Sequence, residues 1–323
     1  MLLNPGISRY EGSSEGHNNP MKPWSALETK AFYLNGASPG PDSGEKLFFY
    51  DSPPDGKLPP GKVRAPVFVL IHGLGDEADS WRHLIPLLNA GGFRALAVDL
   101  PGFGRSVTRK RISMKNHSAA VLKLIETAAP GAEIYLAGNS AGSIVIESLA
   151  FKRPDLIKGL VLIDGSIPGG PSSPGFFILL RFLFSRKWYR AYRNVPEAAW
   201  ASLYPYYADL EAMPPADRSF LKKRVMERVE SRKQEDAYFA TQRSLVKTYI
   251  LRSSSFAKKV KNYKGKIILL HGERDRIITL SQAEAFKNLR SDIRLEIIPG
   301  AGHLPHQEKP EKTARYMIEF AEF

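Results

Sequence analysis

Ser140 is the residue of this chain best set for nucleophilic chemistry. It stands in Gly138-Asn139-Ser140-Ala141-Gly142, after the apolar run at 134–137 (IYLA) and before a helix-compatible stretch at 143–150. Flanking glycines let the backbone turn sharply from strand to helix, so that the hydroxyl stands clear of the sheet at the positive end of the new helix. A serine alone is a poor nucleophile at neutral pH and needs a general base that is itself held by an acid.

Both partners occur in the C-terminal third, each just past a strand-like run. KIILL at 266–270 leads into His271-Gly272-Glu273-Arg274-Asp275, and LEII at 295–298 leads into Pro299-Gly300-Ala301-Gly302-His303-Leu304-Pro305-His306. Loops at the carboxyl ends of strands in an open α/β sheet face one crevice, which would gather Ser140, Asp275 and His303. Asp164, closing LVLID, is a second strand-end acid, and His306 a second candidate base. A fourth element follows the first buried strand, where His72-Gly73-Leu74-Gly75 precedes Trp81. Its glycines can turn backbone N–H groups toward a pocket. Leu74 N–H and Ala141 N–H are the candidate donors for the charge that builds on a carbonyl oxygen during acyl transfer.

The elements that must position these groups alternate in type. Strand-like runs stand at 46–50, 67–71, 95–98, 134–137, 160–163, 266–270 and 295–298, with helix-length segments such as 81–88, 118–128 and 280–289 between them. Most runs are apolar throughout, the pattern of strands buried on both faces of a mostly parallel sheet flanked by helices. Residues 1–45 are rich in Gly, Pro, Ser and Asn and read as a mobile tail, with Met21 a candidate start. Residues 46–165 read as the first part of the core, 166–261 as an inserted, mostly helical cap, and 262–323 as the second part of the core.

The net charge of +13 is concentrated: residues 181–261 hold 18 Lys/Arg against 8 Asp/Glu, an excess of ten. No zinc-finger spacing, aromatic RNA-binding string or helix-turn-helix pattern accompanies it, so a nucleic-acid partner is not expected. A solvated basic face is the simpler reading, and contact with an anionic membrane surface the sharper one. The run FFILLRFLF at 176–184, beside Arg186, Lys187, Arg190 and Arg193, is the segment that would touch lipid or line an aromatic lid. Cysteine is absent, which excludes disulfides and thiol chemistry. With no secretory signal, the expected location is cytoplasmic. His17, His83 and His117 show no paired ligand spacing, so no metal and no cofactor are expected.

The set HGLG near Trp81, Asp99-Leu100-Pro101-Gly102-Phe103-Gly104-Arg105-Ser106, GNSAG, HGERD and GHLPHQEKP resembles the α/β-hydrolase superfamily in order and spacing, over roughly residues 47–323 apart from the cap. Asn139 and the aromatic cap look similar to its capped esterase, lactonase and carbon–carbon hydrolase branches. The resemblance implies an α/β-hydrolase fold with the cap between two strands. It also implies that Ser140 attacks an acyl carbon, His303 shuttles the proton, Asp275 holds the imidazolium, and Leu74 and Ala141 supply the oxyanion hole. Epoxide hydrolases and haloalkane dehalogenases of this fold carry Asp where Ser140 stands, so those chemistries are disfavoured. The expected activity is hydrolysis of a carboxylic ester or related acyl compound, apolar or aromatic. Carbon–carbon hydrolysis next to a ketone, or ligand binding without catalysis, is the alternative. His72, Gly73, Asn139, Phe176 and Phe177 are expected beside the substrate, His72 also shaping the turn. Ser143 departs from the elbow pattern, where a second glycine often sits.

Overall fold

Apolar runs too short for a helix pair with one another, because a strand's N–H and C=O groups find partners only on its neighbours. In the computed structural model, which describes residues 7–9, 30–35, 45–56, 58–165, 186–250 and 254–322, nine strands form one sheet. They are β1 (Ile7–Arg9), β2 (Lys30–Asn35), β3 (Lys46–Ser52), β4 (Val67–Ile71), β5 (Arg94–Val98), β6 (Ile134–Asn139), β7 (Ile157–Ile163), β8 (Lys266–Gly272) and β9 (Arg294–Ile298). Their spatial order is β1-β2-β3-β5-β4-β6-β7-β8-β9. The pairings from β5 to β9 are parallel, and those among β1, β2, β3 and β5 are antiparallel.

Alternation along β4 divides the core. Val67, Val69 and Ile71 join one apolar cluster, Phe68 and Leu70 another, and all five are buried. The first cluster is covered by α2 (Met114–Ala128) and α3 (Ala141–Ala150), the second by α1 (Leu84–Ala90) and the C-terminal helix 310–322. Each large side chain sealed this way contributes about 1.5–3 kcal/mol. Helix α2 starts where Ser113 Oγ accepts from Asn116 N–H.

Four observations refine the sequence reading. Strands β1 and β2 lie within residues 1–45 and extend the sheet, more order than the Gly/Pro/Ser/Asn composition suggests there. The expected strands recur with ends moved by a few residues. The segment expected as helix from Trp81 begins as a tight 3-10 turn, Ala78–Trp81, before α1. Between β7 and β8 come α4 (Arg186–Ala191), α5 (Pro196–Ala201), α6 (Pro215–Glu230), α7 (Arg232–Ile250) and α8 (Ser254–Asn262). Trp200, Tyr207, Leu221, Val225 and Val229 give this inserted group its own small apolar cluster. Helices α9 (Leu280–Lys287), α10 (Pro305–Glu308) and α11 (Pro310–Glu322) complete the chain. The run 176–184 lies outside the described residues. No described helix is long and apolar enough to cross a membrane.

The chain passes from β4 to β5 on one side and returns with β6 on the other, so strand order reverses at β4. Loops leaving β4 and β6 therefore part at their carboxyl ends and open a crevice between them.

Candidate active site

Ser140 occupies that crevice, in a conformation that side chains rarely adopt: φ 51°, ψ −118°. Its N–H donates to Ile163 O at 2.9 Å, and its carbonyl accepts from Ser143 N–H at 3.0 Å, which pins the turn between β6 and α3. Two glycines make the turn possible by allowing close approach. A Cβ on Gly138 would meet the Gly142 backbone at 2.5 Å, and one on Gly142 would meet Ile71 O at 2.4 Å. Ser143 fits the same crowded corner by donating its hydroxyl to Gly138 O at 2.7 Å.

His303 follows β9 and is 2% exposed. Its Nδ1 lies 2.8 Å from Asp275 Oδ2, while Asp275 Oδ1 accepts from Ile277 N–H and Ile278 N–H at 2.7 and 3.1 Å. Burial would push the Asp275 carboxyl up, but His303 and the two N–H groups outweigh it and hold its pKa below the usual carboxylate value. His303 Nε2, the atom a general base needs, is buried with no hydrogen bond among the described residues, Ser140 included. Such contacts are often loose without substrate and tighten when it binds.

Leu74 lies in the turn after β4, and Ala141 is the first residue of α3, whose leading N–H groups have no acceptor within the helix. Gly73 brings the turn against the serine: a Cβ there would lie 3.4 Å from Ser140 Cβ and 3.0 Å from Asn139 Oδ1. His72 is fully buried, with Nε2 accepting from Leu100 N–H at 3.0 Å and Nδ1 2.7 Å from Gly73 O. Burial lowers its pKa, so it works as a neutral brace of the turn. Asn139 departs from the expected substrate contact. It is 1% exposed, and its amide donates to Ile163 O and His303 O at 3.2 and 3.1 Å, which ties the elbow to the His303 loop. Phe176 and Phe177 lie outside the described residues.

Other candidates fall into supporting places. Burial pushes His306 down to about 3; it stacks on Trp81 at 4.3 Å and bonds to Ser80 Oγ at 2.9 Å. Asp99 accepts from Ala78 N–H and Arg105, as a turn-forming carboxylate does. His83 bonds to Asp217, and His117 to Thr241. One group among the described residues, Asp164, His271 and Asp275, has donor atoms within 4.8 Å of one another, close enough to hold a cation. Asp275 is already committed to His303 and two N–H groups, so it has little to offer a metal.

Contacts from the inserted helices are not legible in local spacing. Glu77, wholly buried just past the Leu74 turn, accepts from Arg224 Nε and Arg228 Nη2 at 2.8 Å each. Arg228 also pairs with Asp76 at 2.8 Å, and Arg224 with Asp79 at 3.4 Å. Burial would push the Glu77 carboxyl up, but Arg228 and Arg224 hold it well below the carboxylate range. The one sequence signal is the i, i+4 spacing of the arginines on α6, beside the buried stripe Leu221, Val225 and Val229. Tyrosines line the same side. The Tyr206 ring lies 5.8 Å from that of His303, and Tyr238 lies so close to Gly75 that a Cβ there would come within 2.9 Å of its ring.

Comparison with known proteins agrees with this architecture. The Alpha/beta hydrolase family matches residues 68–316. Pimeloyl-[acyl-carrier protein] methyl ester esterase of Methylococcus capsulatus is 25% identical over 80% of this chain and 95% of its own length. Norfluorocurarine synthase 1 of a Strychnos species is 32% identical over 37% of this chain; the match spans 46% of that relative, less than half its length. Among solved structures, a bacterial membrane phospholipase A described as a virulence factor superposes with a TM-score of 0.72. It is 21% identical, with 92% of this chain and 87% of that one covered.

Proposed function

As a member of the alpha/beta hydrolase family the chain is a hydrolase, and we propose that it cleaves carboxylic esters through an acyl-enzyme on Ser140. What supports this reading is the strained Ser140 elbow, tied through Asn139 to the loop of a buried His303–Asp275 pair whose Nε2 has no hydrogen bond among the described residues. Ser140 Oγ attacks the ester carbon while His303 Nε2 takes its proton, and Asp275 steadies the imidazolium. The carbonyl oxygen, now negative, meets the N–H groups of Leu74 and Ala141. Collapse expels the alcohol, which receives the proton from His303, and water repeats the sequence to release the acid.

The inserted residues 166–261, with α4–α7 and most of α8 among those described, act as the cap. Tyr189, Tyr192, Tyr206 and Tyr238 lend it aromatic surface, and its arginines nearest the turn are already engaged by Glu77, Asp76 and Asp79, so an uncharged apolar or aromatic ester suits it. A reducing compartment, the cytoplasm, suits a chain without cysteine. Peripheral contact with anionic membrane through the basic cap is tested by co-sedimentation with phosphatidylserine vesicles at low salt, and absence of binding removes it.

The test of the chemistry is labelling with a fluorophosphonate, read by intact mass beside Ser140→Ala. A single adduct lost in the variant is expected, together with a fall in ester turnover on the order of 10⁵–10⁶-fold. Unchanged turnover in the variant refutes the mechanism. A panel of aryl esters beside a vinylogous diketone separates ester from carbon–carbon cleavage.

A further inference from the structure

Asp164 closes β7 and is 1% exposed, with a left-handed backbone (φ 42°) that among non-glycine residues mainly Asn and Asp tolerate. The ionisable groups around it come from four elements: His271 on β8, Asp275 in the loop after it, His303 after β9 and Glu308 on α10. Asp164 Oδ1 accepts from Gly272 N–H at 2.8 Å and lies 3.1 Å from His271 Nδ1. Oδ2 is buried and has no hydrogen-bond donor among the described residues.

One oxygen of the Asp164 carboxyl group lies within 4.8 Å of one oxygen of the Asp275 carboxylate. Asp275 is held as an ion by His303 and two backbone N–H groups, and the charges that act most on Asp164 are acidic, Asp275 and Glu308. Two carboxylates this close in a buried site do not both ionise without a cation between them. A proton on Asp164 resolves the conflict, because it turns the orphaned acceptor into a donor.

We propose that Asp164 keeps a proton through the working pH range and donates it as a hydrogen bond to the Asp275 carboxylate. It is thereby a positioning residue that orients the acid of the triad. The inference rests on the triad reading of Ser140, His303 and Asp275. Burial, and next the charge of Asp275, push the Asp164 carboxyl well above the usual carboxylate range, in the same direction. Asp164 Oδ1 already accepts from Gly272 N–H and faces His271 Nδ1 at 3.1 Å, which leaves the other oxygen to carry the proton.

Two variants suit the backbone angle and separate the roles. Asp164→Asn keeps an N–H donor toward Asp275 and an oxygen for Gly272 N–H. Asp164→Gly keeps the backbone and removes the donor. The infrared difference spectrum of wild type minus Asp164→Asn at neutral pH should show a protonated-carboxyl band that the variant lacks. With p-nitrophenyl butyrate as substrate, the Asn variant should leave the acidic limb of the kcat/KM–pH profile in place. The Gly variant should lose roughly 10- to 100-fold in kcat, the worth of a hydrogen bond to a charged group, with little change in KM. Absence of the band, or a shift of the acidic limb by about one pH unit to lower pH in the Asn variant, overturns the proposal, because it marks removal of a negative charge. If the Asn variant fails to fold, the difference spectrum of wild type minus Asp164→Gly tests for the same band. Ester turnover surviving in Ser140→Ala would instead refute the triad, while the infrared band still decides the proton on its own.

Discussion

Glu77 and Asp164 are both carboxyl groups sealed from solvent beside one crevice, and the protein gives them opposite charge states. Glu77 lies under α6, where Arg224 and Arg228 surround it and keep it ionised. Asp164 lies beside the loop that carries Asp275, with that carboxylate for its neighbour, and in our proposal it stays neutral. Burial disfavours the charged form of each; the partners decide the outcome. On the cap side the fold uses charge to bind two regions distant in sequence. On the sheet side it uses a proton to keep two acids together.

Glu77→Ala should break this contrast most severely, because it removes the buried acceptor that both arginines share and leaves Arg228 to Asp76 and Arg224 to Asp79. A loss of about 3–5 kcal/mol in urea-induced unfolding is expected. Arg228→Ala should cost less, about 1–3 kcal/mol, since Arg224 remains on Glu77 through two nitrogens while Asp76 loses its partner. If Arg228→Ala matches Glu77→Ala, the two arginines do not share the load.

The pH dependence of the urea midpoint sharpens the comparison with a smaller effect. The pKa of Glu77 is lowered from an ordinary 4.5. Its contribution is complete above that pH and is lost as pH falls toward the folded value. The pKa of Asp164 is raised from 3.8. Its contribution is complete below that pH and is lost as pH climbs toward the folded value. Glu77→Gln should therefore flatten the acid side of the stability profile, and Asp164→Asn its decline on the alkaline side. At neutral pH, Asp164→Asn should itself change stability by under about 1 kcal/mol, as a near-isosteric swap that keeps its hydrogen bonds.

Much of this molecule is legible in the sequence where the signal is local. Buried parallel strands announce themselves as short apolar runs, and the Ser140 turn as glycines between a strand and a helix. Strands β1 and β2 are not, since nothing periodic marks them within 1–45. The pairing of Glu77 with Arg224 spans 147 positions, a distance over which spacing carries no information. Asn139 is expected at the substrate because it adjoins Ser140, but β-strand alternation turns its amide to the far side, toward Ile163 and His303. Asp164 is visible as a rival acid, yet only three-dimensional packing shows that one of its oxygens lacks a donor among the described residues.

One backbone bond ties entry to reaction. His303 N–H donates to Tyr206 O at 2.8 Å, and Gly302 packs so tightly on this segment that a Cβ would meet Ala208 N at 2.6 Å. In the proposed mechanism Tyr206 sits on the cap and His303 receives the proton. The seat of that stretch over the crevice and the place of the base are then one setting, held by a single main-chain bond.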